Sequence, residues 1–327
     1  MSLGAQAVVD AGGQELTRIM DRVERRMAEL AVGHGPVLAR YAGDTISAGG
    51  KRLRPLLVCI AAGAPPPETD GLVRAAVAVE LVHGATLVHD DVLDGSALRR
   101  GRPTVVATGG RGLAIATGDL LFSRAFAELA RNGEATQLRA LSDASSALAE
   151  GELLQREDAY AMHVAVARYL RRCELKTAAL FEAACRLGAL VAVAGSPTLA
   201  DELGTFARRI GLAFQLLDDV LDVSGPVERT GKARGTDLLD GTVTLPFILA
   251  RERDRELAEL DLSTLHGPEQ AERLCERIAA TGALDEARER ALALVAQAKS
   301  ELPRSLPDSR GAAMLDLVAD AVVERYR

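Results

Sequence analysis

The octet LVHDDVLD at residues 87–94 returns as QLLDDVLD at residues 215–222, and each copy closes a long apolar stretch. A carboxylate in an apolar setting is costly unless something positive meets it, and crowding three together raises the cost. On a helix Asp90 and Asp94 lie about 40° apart with Asp91 to one side, a patch of oxygens one turn tall. Asp218, Asp219 and Asp222 repeat that patch. The fold must therefore bring cations to two acidic helix ends. Oxygen-only clusters without His or Cys suit hard cations, and one or two carboxylates plus a substrate phosphate is the usual Mg2+ arrangement. Two solvated helix ends that happen to look alike are the plain alternative, and the repetition in apolar flanks weighs against it.

The rest of the chain reads as helix. Apolar residues recur at three-to-four spacing over 13–31, 68–94, 112–132, 137–155, 175–193 and 199–223. They do so again near 245–255, 268–280, 283–300 and 311–326. Glycine and proline punctuate the chain at 49–51, 64–71, 101–104, 195–198 and 266–268. The longest polar, glycine-rich stretch, 225–242, reads as a loop and a mobile lid. With 327 residues, 48% of them hydrophobic, a large core is available, and no break in composition suggests a second domain. The expectation is an all-α single domain over residues 1–327.

Several classes are disfavoured. No run of 18 uncharged apolar residues predicts a membrane span, and no basic-then-apolar N-terminal leader is visible. Cys59, Cys173, Cys185 and Cys275 are scattered without paired spacing, which predicts buried reduced thiols in a cytoplasmic protein. A net charge of −7 argues against a nucleic-acid binder.

Lysine use is the next clue. Of 39 basic residues only Lys51, Lys176, Lys232 and Lys299 are lysine, and the first three sit in the short motifs GGKRLRP, ELKTAAL and TGKARGTD. Lysine is a compact point charge suited to phosphate. Lys51, Arg52 and Arg54 crowd Gly49 and Gly50, Arg99 and Arg100 follow the first acidic triplet, and Lys176 and Lys232 flank the second in sequence. Two magnesium-binding walls with this many cations expect a polyanion, and two diphosphates fit better than one phosphate. His83, seven residues before Asp90, faces nearly the same way. A satisfied core histidine is the other reading of it.

In order, GGKRLRP, LVHDDVLDGSALRRGRPT, ELKTA, FQLLDDVLD and GKARGTDLLDGTVTLP resemble the motifs of the trans-isoprenyl diphosphate synthases, the polyprenyl synthetase family, from about residue 45 to 250. The resemblance implies an all-α helical bundle whose two aspartate motifs face a central cavity, and a homodimer. It implies Mg2+, three ions per site, and condensation of isopentenyl diphosphate with an allylic diphosphate. By position, Asp90, Asp91, Asp94, Asp218 and Asp219 look like the metal-bearing carboxylates, with Asp222 a ligand or just outside. Arg99, Lys176 and Lys232 look like clamps on the allylic diphosphate. Gly50, Lys51, Arg54, His83 and Arg100 look like the isopentenyl diphosphate site, and Thr177 and Gln215 like polar neighbours of the reacting end. One departure stands out. Thr242 occupies a position where the family commonly has lysine, so one phosphate contact is missing or comes from Arg234.

The family reads product length largely from the positions four and five before the first aspartate, here Thr86 and Ala85, where short-chain members carry an aromatic floor. No Phe, Tyr or Trp occurs from Ala42 to Leu121. Ala75, Ala78, Val79 and Val82 continue a small-residue stripe, with Phe122 and Phe126 as candidate floors. From Asp90 to Ala75 a helix descends about 22 Å, room for roughly four isoprene units. A product of C30 or longer is expected, unless the stripe is ordinary helix packing. A farnesyl or geranylgeranyl diphosphate synthase is the alternative within the family. A terpene cyclase is disfavoured because the chain has ten aromatics, no tryptophan and a second aspartate motif, and a non-catalytic partner subunit of a heteromeric synthase need not keep both triplets, as this chain does.

Overall fold

The structure is a computed structural model that describes residues 3–32, 35–47, 52–99, 101–192, 196–225, 234–302 and 309–324, without the side chains of 3–6, 37, 38 and 47. Apart from one short hairpin, its regular elements are helical. They are α1 (Leu3–Ala31), α2 (Pro36–Ser47), α3 (Leu53–Ala61), α4 (Asp70–Leu93), α5 (Val105–Ala130), α6 (Ala135–Glu157), α7 (Val166–Cys173), α8 (Ala179–Val191) and α9 (Pro197–Ser224). Then come α10 (Thr236–Leu239), α11 (Leu245–Arg251), α12 (Arg255–Glu259), α13 (Pro268–Ala280), α14 (Ala283–Ser300) and α15 (Ser309–Glu324). A π-turn, Glu174–Ala178, joins α7 to α8.

The chain divides into two compact units. One comprises Met1–Ser145, Leu180–Ala207 and Leu302–Ala321, the other Ser146–Ala179, Arg208–Glu301 and Val322–Arg327. The first acidic triplet belongs to the first unit and the second triplet to the second.

In the first unit, α1 buries Leu16, Ile19, Val23, Met27 and Leu30, the three-to-four stripe the sequence carries. Each such fully buried aliphatic side chain contributes roughly 1.5–3 kcal/mol. Gly13 breaks the helix at φ 68° and Gly110 breaks α5 at φ 79°, a region costly for any residue with a Cβ. The periodicity expected from 13 and from 112 thus begins at the first break and just after the second, while helical structure extends further back. Helix α4 starts at Thr69, whose hydroxyl accepts the Leu72 N–H at 3.2 Å. It is long and apolar enough by composition to cross a membrane, with a mean hydropathy of 1.5 over 18 residues, yet 61% of that window is buried. It is read as a core helix.

Helices α2, α3, α7 and α10 lie outside the expected spans, and α12 meets them at Arg255 alone. In α3, LRPLLVCIA is buried from Pro55 to Ala61, so it shows no polar face and no period. Pro55 falls in the first turn, where its missing N–H costs nothing. Helices α2 and α7 are short, and α7 carries Arg168, Arg171 and Arg172. In the second unit, α10 interrupts the stretch 225–242 expected to be loop, and residues 226–233 of it lie outside the described residues. All four cysteines are buried thiols, and burial pushes Cys59 and Cys275 up to about 12.

Candidate active site

The first acidic triplet sits where α4 ends. The Asp94 N–H closes the last turn onto the Asp90 carbonyl at 2.8 Å, and the Ser96 N–H reaches the Asp91 carbonyl at 3.0 Å. The chain then forms an antiparallel hairpin, Leu98–Arg99 against Arg102–Pro103. Thr104 pins it by donating to the Ser96 carbonyl at 2.6 Å, and its hydroxyl oxygen also caps α5 by accepting the Ala107 N–H at 3.2 Å. This local wiring turns Arg99 back to the helix, where its Nε donates to Asp91 Oδ1 at 2.7 Å. Asp91 is buried, Asp90 half-buried and Asp94 exposed, so the oxygens run from the interior to the surface.

Behind this helix end the other predicted cations separate into two kinds. Arg52 adopts a left-handed backbone at φ 49° and turns inward. Its guanidinium donates to Glu24 Oε1 at 2.6 Å, to Glu80 Oε1 at 2.9 Å and to the Ile46 carbonyl at 2.8 Å. It ties α1, α2 and α4 together and is a structural cation. Arg54 instead lies with its guanidinium carbon 4.7 Å over the Phe181 ring. His83 lines a narrow cavity with Arg52, Glu80, Gly84, Leu87 and Leu121. Gly50, Lys51 and Arg100 lie outside the described residues.

The residues of the expected chain-length stripe below Thr86 are buried. Ala85, Val82, Val79, Ala78 and Ala75 have no exposed surface, whereas Thr86 is half-buried and donates to the His83 carbonyl at 2.8 Å. Phe122 and Phe126 are half-buried, and the Phe122 ring lies 5.9 Å from that of His89.

The second acidic triplet lies near the C-terminal end of α9. Asp219 is buried and both its oxygens are engaged: Gln215 Nε2 donates to Oδ1 at 2.7 Å and the Tyr169 hydroxyl to Oδ2 at 2.6 Å. Thr177 in turn donates to Gln215 Oε1 at 2.7 Å. The expected neighbours Thr177 and Gln215 are therefore in contact. Burial, with the nearby Asp237 charge, pushes the Asp219 carboxyl up to about 7, against the two hydrogen bonds. Burial and the Asp219 charge raise the Tyr169 phenol well above its ordinary range, so it stays a donor. Asp222 Oδ2 accepts the Asp237 N–H at 3.3 Å, and the Asp222 carbonyl accepts the Gly235 N–H at 2.9 Å.

The π-turn explains the register. Tyr169 and Thr177 are eight residues apart, about 80° out of phase on a regular helix. One inserted residue in a π-bulge brings them close to two whole turns. Lys176, on the same turn, pairs with Glu152 of α6. Gly151 makes that approach possible, because a Cβ there would lie 2.5 Å from the Lys176 nitrogen. Tyr169, Glu152 and Gly151 were not singled out from the sequence. The signal available for Tyr169 was its place about two turns before Thr177 of ELKTA.

Arg234, offered as a substitute for the missing lysine, donates to the Val223 carbonyl at 2.9 Å and to Glu272 Oε1 at 2.6 Å. The Thr242 N–H donates to the Asp237 carbonyl at 2.8 Å. Lys232 lies outside the described residues. Among the described residues no three His, Cys, Asp or Glu side chains converge tightly enough to cage an ion alone. The carboxylates of the two triplets offer oxygen donors only, which suit a hard cation.

Residues 36–280 match the model of the polyprenyl synthetase family. The heptaprenyl diphosphate synthase component 2 of Geobacillus stearothermophilus is 39% identical over 246 residues, 75% of each chain. The geranylgeranyl diphosphate synthase of Methanosarcina mazei is 37% identical over 290 residues, 86% of this chain and 87% of that one. Among solved structures, a polyprenyl synthase from Caulobacter crescentus complexed with calcium and isoprenyl diphosphate superposes with a TM-score of 0.88 at 33% identity, covering 99% of this chain and 98% of that one.

Proposed function

The chain belongs to the polyprenyl synthetase family, and from that premise we propose that it condenses isopentenyl diphosphate with an allylic diphosphate to give an all-trans polyprenyl diphosphate. Its relatives carry the names of prenyl diphosphate synthases or of a component of one. The observation that carries the reading is the pair of acidic triplets at helix ends, each with one buried aspartate already held by a donor.

Asp90, Asp91, Asp94, Asp218, Asp219 and Asp222 would hold Mg2+, three ions in all. When bound, the ions supply positive charge to the diphosphate as it leaves. Arg99, Lys176 and Lys232 clamp the allylic diphosphate, and the first two exchange Asp91 and Glu152 for phosphate oxygens. The allylic C–O bond breaks with both electrons departing on the diphosphate, where fixed cations stabilise the growing charge. Gly50, Lys51, Arg54, His83 and Arg100 hold isopentenyl diphosphate so that its double bond attacks the allylic carbon, after which a proton is lost. Thr177 and Gln215 flank the reacting end, and apolar walls keep water from the cation. Residues 1–327 act as one catalytic domain, a homodimer in the cytoplasm.

Because neither Ala85 nor Thr86 is aromatic, a product of C30 or longer is favoured. Two observations each support a different alternative. The stripe below Thr86 has no exposed surface, which fits a shorter product, farnesyl or geranylgeranyl diphosphate. The relative named as a component 2 fits a chain that works with a partner subunit. Incubation of the purified chain with labelled isopentenyl diphosphate, each allylic primer and Mg2+, followed by product sizing, separates these. No product from the chain alone would favour the partner, and products of C20 or less would overturn the long-chain reading.

A further inference from the structure

We propose that Tyr169 is a positioning residue for the second acidic triplet, one that sets the Asp219 carboxylate for a divalent cation and, through it, orients Gln215 and Thr177. The inference rests on the functional reading above and deepens it. Tyr169 has no exposed surface, and its hydroxyl lies 2.6 Å from Asp219 Oδ2. Three hydrogen bonds run in sequence toward the same carboxylate. Thr177 donates to Gln215 Oε1, Gln215 donates through Nε2 to Asp219 Oδ1, and Tyr169 donates to Oδ2. An ionised carboxylate accepts at about four lone-pair sites, and these two donors occupy one on each oxygen. They also fix the carboxylate plane, and they determine which end of the Gln215 amide faces Thr177.

Tyr169 is itself held. The Arg172 guanidinium carbon lies 5.4 Å from the centre of its ring, and Arg172 is anchored to Asp158 Oδ2 at 3.3 Å and to the Val243 carbonyl at 2.6 Å. The π-turn sets Thr177 in phase with Tyr169, so one face of the α7–α8 segment supplies both ends of the relay. A phenol used only to fill space would need none of this alignment. Groups that orient a metal-bearing side chain typically alter metal affinity by about 10–100-fold when removed.

The test compares the full chain with Tyr169→Phe, which deletes one oxygen and keeps the ring. Free Mn2+ is followed by electron paramagnetic resonance during titration in the presence of inorganic pyrophosphate. The expected result is Mn2+ binding weaker by about tenfold or more, a matching rise in the Mg2+ needed for half-maximal condensation, and an unchanged KM for isopentenyl diphosphate. Gln215→Leu removes the other donor to Asp219 and is read in the same way, should the phenylalanine variant not fold. Unchanged Mn2+ affinity in the folded variant overturns the proposal, whatever happens to turnover. A wild-type chain that binds no Mn2+ with pyrophosphate overturns the functional reading instead, and this one with it.

Discussion

Arg99 and Asp91 form a hydrogen-bonded ion pair of 2.7 Å that folds the hairpin after the first acidic triplet back onto the helix that bears it. The Asp91 side chain is 7% exposed and that of Arg99 31%, so the arginine can reach solvent and a ligand while the aspartate cannot turn away. Arg99→Lys keeps the charge and loses the fork. It should lower kcat/KM for the allylic substrate by on the order of 10²-fold, the usual cost of one electrostatic stabiliser. Steady-state kinetics with the allylic diphosphate varied at saturating isopentenyl diphosphate would check this. An unchanged value would remove Arg99 from the diphosphate clamp.

Arg52 predicts a stability effect. Its removal leaves Glu80, whose side chain is 10% exposed, without its guanidinium. Breaking such a pair from one side costs about 3–5 kcal/mol when it is fully buried, and the 45% exposure of Glu24 softens the loss. Arg52→Ala should therefore lower unfolding stability by about 2–4 kcal/mol in urea melts.

The Arg26–Glu128 pair predicts a pH dependence. Burial acts to raise the Glu128 carboxyl, and the Arg26 hydrogen bond and charge overcome it, so the folded value lies below the ordinary one. A depressed carboxylate stabilises the fold fully above its unfolded pKa of about 4.3, and that contribution fades as pH falls through the folded value. Glu128→Gln should flatten the decline of the melting temperature with falling pH below about 4.3. It should also cost about 1–3 kcal/mol at neutral pH through the weakened bonds to Arg26.

Gly151 predicts a packing effect on the site. An added Cβ would lie 2.5 Å from the Lys176 nitrogen and 2.9 Å from its Cα. Gly151→Ala must push α6 and the π-turn apart, at about 1–3 kcal/mol. It should raise the KM for the allylic diphosphate more than that for isopentenyl diphosphate, since Lys176 is displaced.

Product length is tested at Ala85. An aromatic ring there should shorten the products, so Ala85→Phe, analysed by product sizing, should shift the distribution to fewer isoprene units. An unchanged distribution would mean that the growing chain does not pass this position.

What the sequence disclosed and what it withheld follow from range. Helices α9, α13 and α14 were legible because their apolar residues keep one period over several turns, and α4, buried without a break from Ala75 to Val82, because its apolar run is long. Helix α3 was not, since a segment buried all round has no period to read. The acidic triplets stood out because three aspartates within five residues is a local pattern. The partners of charges are not local. Nothing near Arg52 in the chain announces Glu24 and Glu80, which lie 28 residues away on either side. Tyr169 reaches Asp219 across 50 residues, and its alignment with Thr177 depends on a π-turn that has no sequence period of its own.

The most direct measurement is incorporation of labelled isopentenyl diphosphate by the purified chain with an allylic primer and Mg2+, before and after one aspartate in each triplet is neutralised, as Asp90→Asn with Asp218→Asn. The account predicts Mg2+-dependent product from the wild type and a rate below about one-thousandth of it in the double variant, each lost stabiliser costing on the order of 10²–10³. Undiminished incorporation by a folded double variant would contradict it.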